Sequence, residues 1–328
     1  MTNNMENSGY KVFLELLRRD SSSKEYVSVE SVPFSKHHKI GISSEGYPMF
    51  FVKCDGLTKA ININLELISV FFSQECSIKE NENNTTEIYT IVLLKTYNSD
   101  LQQYFTDVFS IILKHIESIP SERDLYREVK KVIDLFSSIN KPPLKSIQGL
   151  WTELLVIEKA INPEYLINAW HISPFDKFDF NDGIDKLEVK STTKSKRVHN
   201  FSIEQLNNNP GSDLLIASAF TIETGSGKSI INLRDNIVSK ISNIKVQLRL
   251  NEIIYKTMGS DYEKLGDIFF DYQQASDSLS FYKIKDIPSI HIDAIPSQIS
   301  NVTFSCDLTN VPDVLEVKDS LLFESLGI

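Results

Sequence analysis

Cysteine is scarce in this chain. Its 328 residues hold three, Cys54, Cys76 and Cys306, far apart and odd in number, which excludes a disulfide framework and a zinc site built on paired thiols. Apolar runs are short as well, none approaching the roughly 20 residues that a membrane helix needs. The opening "MTNNMENSGYK" has neither the basic start nor the apolar stretch of a signal peptide. These absences predict a cytoplasmic protein with reduced thiols and no membrane partner. Positive charge is also in deficit: Lys and Arg number 34 against 44 Asp and Glu, a net charge of −10 with a pI near 5.2. A protein that grips nucleic acid with its whole surface is basic, so that class is excluded, whereas a confined basic patch is not. Histidines number six, and the adjacent pair His37–His38 in "PFSKHHKIG" has no Cys or acid at ligand spacing. It reads as a surface pair.

What is present is an ordinary globular composition, 41% hydrophobic and 24% charged, long enough for two domains or one elaborated core. Three β-branched and aromatic runs, "PMFFVKC", "KAININLELISVFF" and "EIYTIVLLKTY", predict strands before residue 100. "LQQYFTDVFSIILKHIESI" then carries apolar residues at helical spacing, and "SERDLYREVKKVIDLFSSI" follows with a Ser cap and acids in its first turn. "NKPPLKS" breaks that pattern and marks a boundary. Beyond it, "SIQGLWTELLVIEKAI" is a strongly apolar helix ended by Asn162–Pro163. "LINAWHI", "DKFDF" and "KLEVKST" read as short strands, the last two joined by a hairpin turn at Asn181–Asp182–Gly183. "FSIEQLNNN" reads as a short helix, "DLLIASAFTI" as a buried strand, and helices resume over Ser229–Ser242 and Ile244–Met258 before strands return in the tail. The expected domains are therefore a strand-rich segment 1–140 ending in two helices, a core 141–242, and a helical then β extension 243–328.

One tetrapeptide occurs twice. LEVK stands at Leu187–Lys190 and again at Leu315–Lys318, each with an aspartate nine residues before its glutamate, Asp179 and Asp307. Hydrolysis of a phosphodiester needs an activated water and a cation that neutralises phosphoryl charge. Mg²⁺ takes hard oxygen ligands, commonly one or two carboxylates with waters and phosphate. Glu and Lys at i and i+2 of a strand share a face about 7 Å apart, so Glu188 can hold a metal while Lys190 faces the water or phosphate beside it. The carbonyl of Val189 can reach the same ion, and Asp179 closes the site from the partner strand. Upstream, Glu153 is the acid nearest the middle of the apolar helix. The second copy lacks these supports: Pro312 stands where the first has its turn, and five acids face a single lysine. Glu316 and Lys318 read as solvated tail residues. A basic run begins at the first copy, with Lys186, Lys190, Lys194, Lys196 and Arg197 against Glu188 alone.

"GLWTELLVIEKAI", "AWH", "FDF", "LEVKST" and "RVHNFSIEQL", in this order and spacing, resemble the PD-(D/E)XK family encoded in restriction-like defence operons. The resemblance is specific from Gly149 to Leu206 and loose in the N-terminal third. It implies an α/β restriction-endonuclease-like core, a mixed four-stranded sheet in αβββαβ order, in agreement with the element order read above. It also implies a Mg²⁺-dependent DNA endonuclease, with Mn²⁺ as a substitute, acting beside other defence subunits such as an ATPase or methylase and compatible with a homodimer. Carried over, Glu153 is the helix acid, Asp179 and Glu188 the metal ligands and Lys190 the catalytic lysine. His199, Ser202 and Gln205 match the trailing motif, as phosphate-backbone or supporting groups. Asp179 is preceded by Phe178 where the pattern has proline.

Other residues carry plainer readings. Asp182 and Asp185 are turn acids, and Trp151 and Trp170 are core. "IETGSGKSII" imitates a phosphate loop, but Ile222 stands at the first glycine position, where a β-branched side chain blocks the approach of phosphate. The rival functions are a non-catalytic DNA-binding or assembly subunit and, more remotely, a P-loop NTPase.

Overall fold

A computed structural model describes residues 9–19, 27–56, 60–80, 83–171, 176–207, 211–314, 317 and 320–328. The chain forms two compact units, Met1–Lys141 and Pro142–Ile328.

Among the described residues the first unit begins with helix α1 (Gly9–Arg19), which buries Phe13 and Leu16 and which strand-like composition over the first hundred residues did not suggest. An antiparallel sheet follows: β1 (Val29–Ser31), β2 (Lys39–Ile42), β3 (Pro48–Val52), β4 (Ile63–Asn64), β5 (Ile68–Glu80) and β6 (Asn83–Leu94), in the order β1-β2-β3-β6-β5-β4. The two expected helices are α2 (Ser99–His115), capped by Asn98, and α3 (Glu122–Ile139), capped by Ser121. Phe50, Phe105, Phe109 and Phe136 form the aromatic centre of this unit. His38 does not sit at the surface. It is fully buried, with Nδ1 accepting from the Lys53 N–H at 3.3 Å and Nε2 without a partner among the described residues. Burial, together with the charge of His37, lowers its pKa to about 4.

The second unit begins with α4 (Ile147–Lys159), whose residues from Leu150 to Glu158 are buried on every side. A helix apolar all round belongs in the interior, and this one forms the unit's axis. Asn162 then caps a further helix, α5 (Pro163–Ala169), with proline in its first turn. Of "LINAWHI", Leu166–Ala169 are therefore helical; beyond them Trp170 bridges Phe180, and the His171 N–H donates to the Asp179 carbonyl at 3.0 Å, while residue 172 lies outside the described residues. The strand expected over "DKFDF" shrinks to β7 (Phe180–Asn181). The turn after it behaves as its residues dictate, with Gly183 at φ +94° and Asp182 accepting from the N–H groups of Ile184 and Asp185.

Next come β8 (Lys186–Thr192), β9 (Val198–Ser202) and the short helix read from "FSIEQLNNN", which is a single 3₁₀ turn, Ile203–Gln205. After β10 (Leu214–Phe220) follow β11 (Glu223–Thr224), α6 (Ile230–Lys240), α7 (Ile244–Met258), β12 (Phe269–Phe270), α8 (Tyr272–Ser278), β13 (Ser280–Lys283), β14 (Thr303–Asp307) and α9 (Leu321–Leu326). The mixed four-stranded sheet has the order β13-β10-β8-β7, with β8 parallel to β10 and the outer pairs antiparallel. Its members differ from those expected, because β13 comes from the C-terminal segment. β9 pairs instead with β14 in a two-stranded ladder. Among the described residues no helix is long and apolar enough to cross a membrane.

Candidate active site

The site grows out of three local facts. α4 places Glu153 in the interior, 3% exposed, where an unpaired carboxylate is costly. The β7–β8 turn sets Asp179 beside the middle of β8. The alternation of β8 puts Glu188 and Lys190 on one face, in register with Ile216 and Ser218 of β10. Leu187, opposite them, is fully buried, whereas Val189 is only half-buried.

Hydrogen bonds join these pieces. Asp179 Oδ2 accepts from the backbone N–H of Val189 at 2.8 Å, which ties the aspartate to the residue between Glu188 and Lys190. Lys190 Nζ donates to Glu188 Oε1 at 2.7 Å, and Gln205 Nε2 donates to the same oxygen at 2.6 Å. Gln205 Oε1 accepts from Lys190 Nζ at 3.2 Å and from the Ser202 N–H at 3.1 Å, so the 3₁₀ turn after β9 fixes the orientation of both β8 side chains. Glu153 Oε2 accepts from Trp170 Nε1 at 2.8 Å.

The residue missed by sequence reading is Lys145, just before the Ser146 cap of α4. Its ammonium donates to Glu153 Oε1 at 2.6 Å and to Asp179 Oδ1. The linker-like "NKPPLKS" gave no sign of it; only its position eight residues ahead of a buried acid could have. Three carboxylates and two ammoniums thus occupy one buried region. Burial, with the charge of Asp179, raises the pKa values of Glu153 and Glu188 above the usual carboxylate range, against the pull of Lys145 and Lys190. Burial disfavours the charged form of Lys145, but Glu153 and Asp179 outweigh it and raise its pKa.

The remaining candidates divide. Lys194 and Lys196 are exposed after β8. Arg197 and His199 face the interior. Arg197 is 9% exposed, and its guanidinium donates to the carbonyl and hydroxyl of Ser218 and to the Ser278 carbonyl, lying 4.6 Å from the centre of the Phe220 ring. His199 Nε2 lies 2.8 Å from Ser218 Oγ. Ser202 serves as the N-cap of the turn that carries Gln205. Of the second LEVK copy, residues 315, 316 and 318 lie outside the described residues.

The glycine-rich loop is sealed. Gly227 has φ +145°, and a Cβ there would meet the Phe270 carbonyl oxygen at 2.2 Å. Lys228 and Phe270 exchange both backbone hydrogen bonds at 3.1 Å. Ser229 caps α6 in a capping box with Asn232. The Lys228 ammonium lies 3.3 Å from the centre of the Tyr272 ring.

As a metal site the donor set suits a hard cation of low protein coordination. Among the described residues no three His, Cys, Asp or Glu side chains converge on a point. Asp179 and Glu188, with the Val189 carbonyl, could hold such a cation, which commonly takes one or two carboxylates together with water. The same carboxylates already hold cations, in the form of lysine ammoniums.

A family profile described as "Putative PD-(D/E)XK family member, (DUF4420)" matches residues 13–309. No curated protein and no solved structure matches the chain.

Proposed function

Because the chain belongs to this PD-(D/E)XK family, we propose that its second unit is a Mg²⁺-dependent DNA endonuclease, with Mn²⁺ able to substitute. The observation that carries the reading is the bond from the Val189 N–H to Asp179. It welds the aspartate to the Glu-x-Lys strand, so the motif separated in sequence is one cluster in space. Asp179, Glu188 and the Val189 carbonyl would hold the metal, which when bound activates water and neutralises phosphoryl charge.

The protein's own groups do the rest. Lys190, kept on the Glu188 face by Gln205, presents a cation beside the attacked phosphate and stabilises charge that develops there. Glu153, anchored by Trp170 and Lys145, fixes the position of Asp179 through their shared lysine before the metal binds. The exposed Lys194 and Lys196 offer phosphate contacts next to β8. Such a small cationic surface on a chain of net charge −10 fits a subunit whose DNA affinity is supplemented by partners. The setting we propose is therefore a restriction-type defence system, beside an ATPase or methylase subunit, with self-association compatible. A non-catalytic assembly subunit is disfavoured by the intact quartet Glu153, Asp179, Glu188 and Lys190.

The test is cleavage of supercoiled plasmid by the purified chain, alone and with its genomic neighbours' products, in Mg²⁺ and in EDTA. Nicking or linearisation that requires the metal is expected. Metal-bound protein that binds DNA without cleaving it, with every partner supplied, would favour the assembly subunit.

A further inference from the structure

We propose that Lys145 is a built-in counter-cation of this centre: it holds Glu153 and Asp179 together in the metal-free protein and competes with the metal for Asp179. The inference rests on the nuclease reading, since it concerns the ion that reading requires.

The backbone around Lys145 is fixed on both sides. The Leu144 N–H donates to the Thr257 carbonyl at 2.8 Å, and Ser146 Oγ accepts from the Gly149 N–H at 3.1 Å as the cap of α4. Only the long side chain is free to change place. Exposure within the bridge is unequal. The Lys145 side chain is 34% exposed, while those of Glu153 and Asp179 are 4% and 12% exposed. The ammonium can therefore withdraw into water, where an ammonium is well solvated, but the two carboxylates cannot follow it.

Withdrawal leaves neither carboxylate without a donor. Glu153 keeps the Trp170 N–H on Oε2, and Asp179 keeps the Val189 N–H on Oδ2. What it releases is Glu153 Oε1 and Asp179 Oδ1, the two oxygens that Lys145 had occupied. Glu188 differs, because its Oε1 is held by Lys190 and Gln205. The oxygen of Asp179 that a metal would need is thus reserved by a displaceable charge, and three buried carboxylates are spared mutual repulsion until the ion arrives.

The test uses the full chain without DNA, as wild type, Lys145→Met and Lys145→Arg. Mn²⁺ binding is measured by calorimetry and thermal unfolding is followed in EDTA. Lys145→Met removes the competing charge with little change of volume. It should bind Mn²⁺ at least about tenfold tighter than wild type, melt lower in EDTA, and recover when Mn²⁺ is added. Lys145→Arg keeps the charge and should stay near wild type in both measurements. Should the Met variant unfold in EDTA, Lys145→Gln must show the same tightening. Unchanged or weaker Mn²⁺ binding by the uncharged variants, with wild type binding normally, overturns the inference and leaves the nuclease reading standing. No Mn²⁺ binding by any of the proteins overturns both.

Discussion

Acid should strip the second unit of a stabilising contribution that the neutral His199 makes. This residue is 4% exposed. Burial is the main cause that lowers its pKa from 6.5 to about 4, and the nearby charges of Lys190, Arg197 and Lys194 act in the same direction, with Asp307 opposed. Hydrogen bonding agrees with a neutral ring. Arg197 Nη1 donates to Ser218 Oγ at 2.9 Å, which directs the Ser218 hydroxyl proton toward His199 Nε2. Nε2 is then the acceptor, and the ring carries its proton on Nδ1. Protonating Nε2 would aim two cationic donors at one hydroxyl. In the unfolded chain the group returns to its ordinary pKa, so the unfolded state takes up the proton first. The stabilisation is complete above pH 6.5 and is lost as pH falls toward the folded pKa of about 4. That gap corresponds to roughly 3 kcal/mol.

The assay is urea unfolding followed by tryptophan fluorescence, because both tryptophans, Trp151 and Trp170, are fully buried in this unit. Glu153 and Glu188, whose pKa values are raised, act in the opposite sense, so the histidine's contribution is read as the difference between wild type and His199→Gln. This difference should shrink by most of the roughly 3 kcal/mol between about pH 7.5 and about pH 4.5. A difference that stays constant across that range refutes the reasoning.

Asp179→Asn and Glu188→Gln should abolish metal-dependent cleavage in the plasmid assay with the fold retained by circular dichroism, although Asn at 179 keeps an acceptor only for the Val189 N–H and loses the ion pair with Lys145, so its urea midpoint should fall. Lys190→Met should lower the single-turnover cleavage rate by about 10²–10³, with DNA binding retained in a filter or gel-shift measurement. Lys318→Ala alters the same residue of the same tetrapeptide and should change stability by no more than about 0.5 kcal/mol and cleavage not at all. Gly227→Ala forces a Cβ against the Phe270 carbonyl and should cost roughly 2–4 kcal/mol by urea unfolding.

The site was legible where the sequence obeys a short period. Glu188 and Lys190 follow strand alternation, Gly183 announces the turn that brings Asp179 across, and Glu153 stands out as an acid inside an apolar helix. Lys145 was not legible, because the bond that matters joins it to Asp179, 34 residues away, and its own neighbourhood reads as linker. The helix α5 was signalled by Asn162 as cap and Pro163 in the first turn, but the β-branched and aromatic letters of "LINAWHI" pointed to a strand. Arg197 and His199 look like surface cations in a basic run. Ser218 and Phe220 turn Arg197 inward, as Ser218 does His199, and β10 supplies both from beyond the run itself.

The pairing of β9 with β14 sets a schedule for synthesis. Asn200 and Ser305, bonded across that ladder, are 105 residues apart. A ribosome adding about 5–20 residues each second needs roughly 5–20 s to cover that distance. Throughout that interval β9 lacks its ladder with β14, and the turn carrying Gln205, which orients Glu188 and Lys190, hangs from a strand held by its side chains against β10. A nascent chain therefore carries its acids and lysines long before it can hold them in place. Any chain released before β14 emerges should lack an ordered centre, so the chemistry proposed for this protein would begin only when translation of that strand is complete.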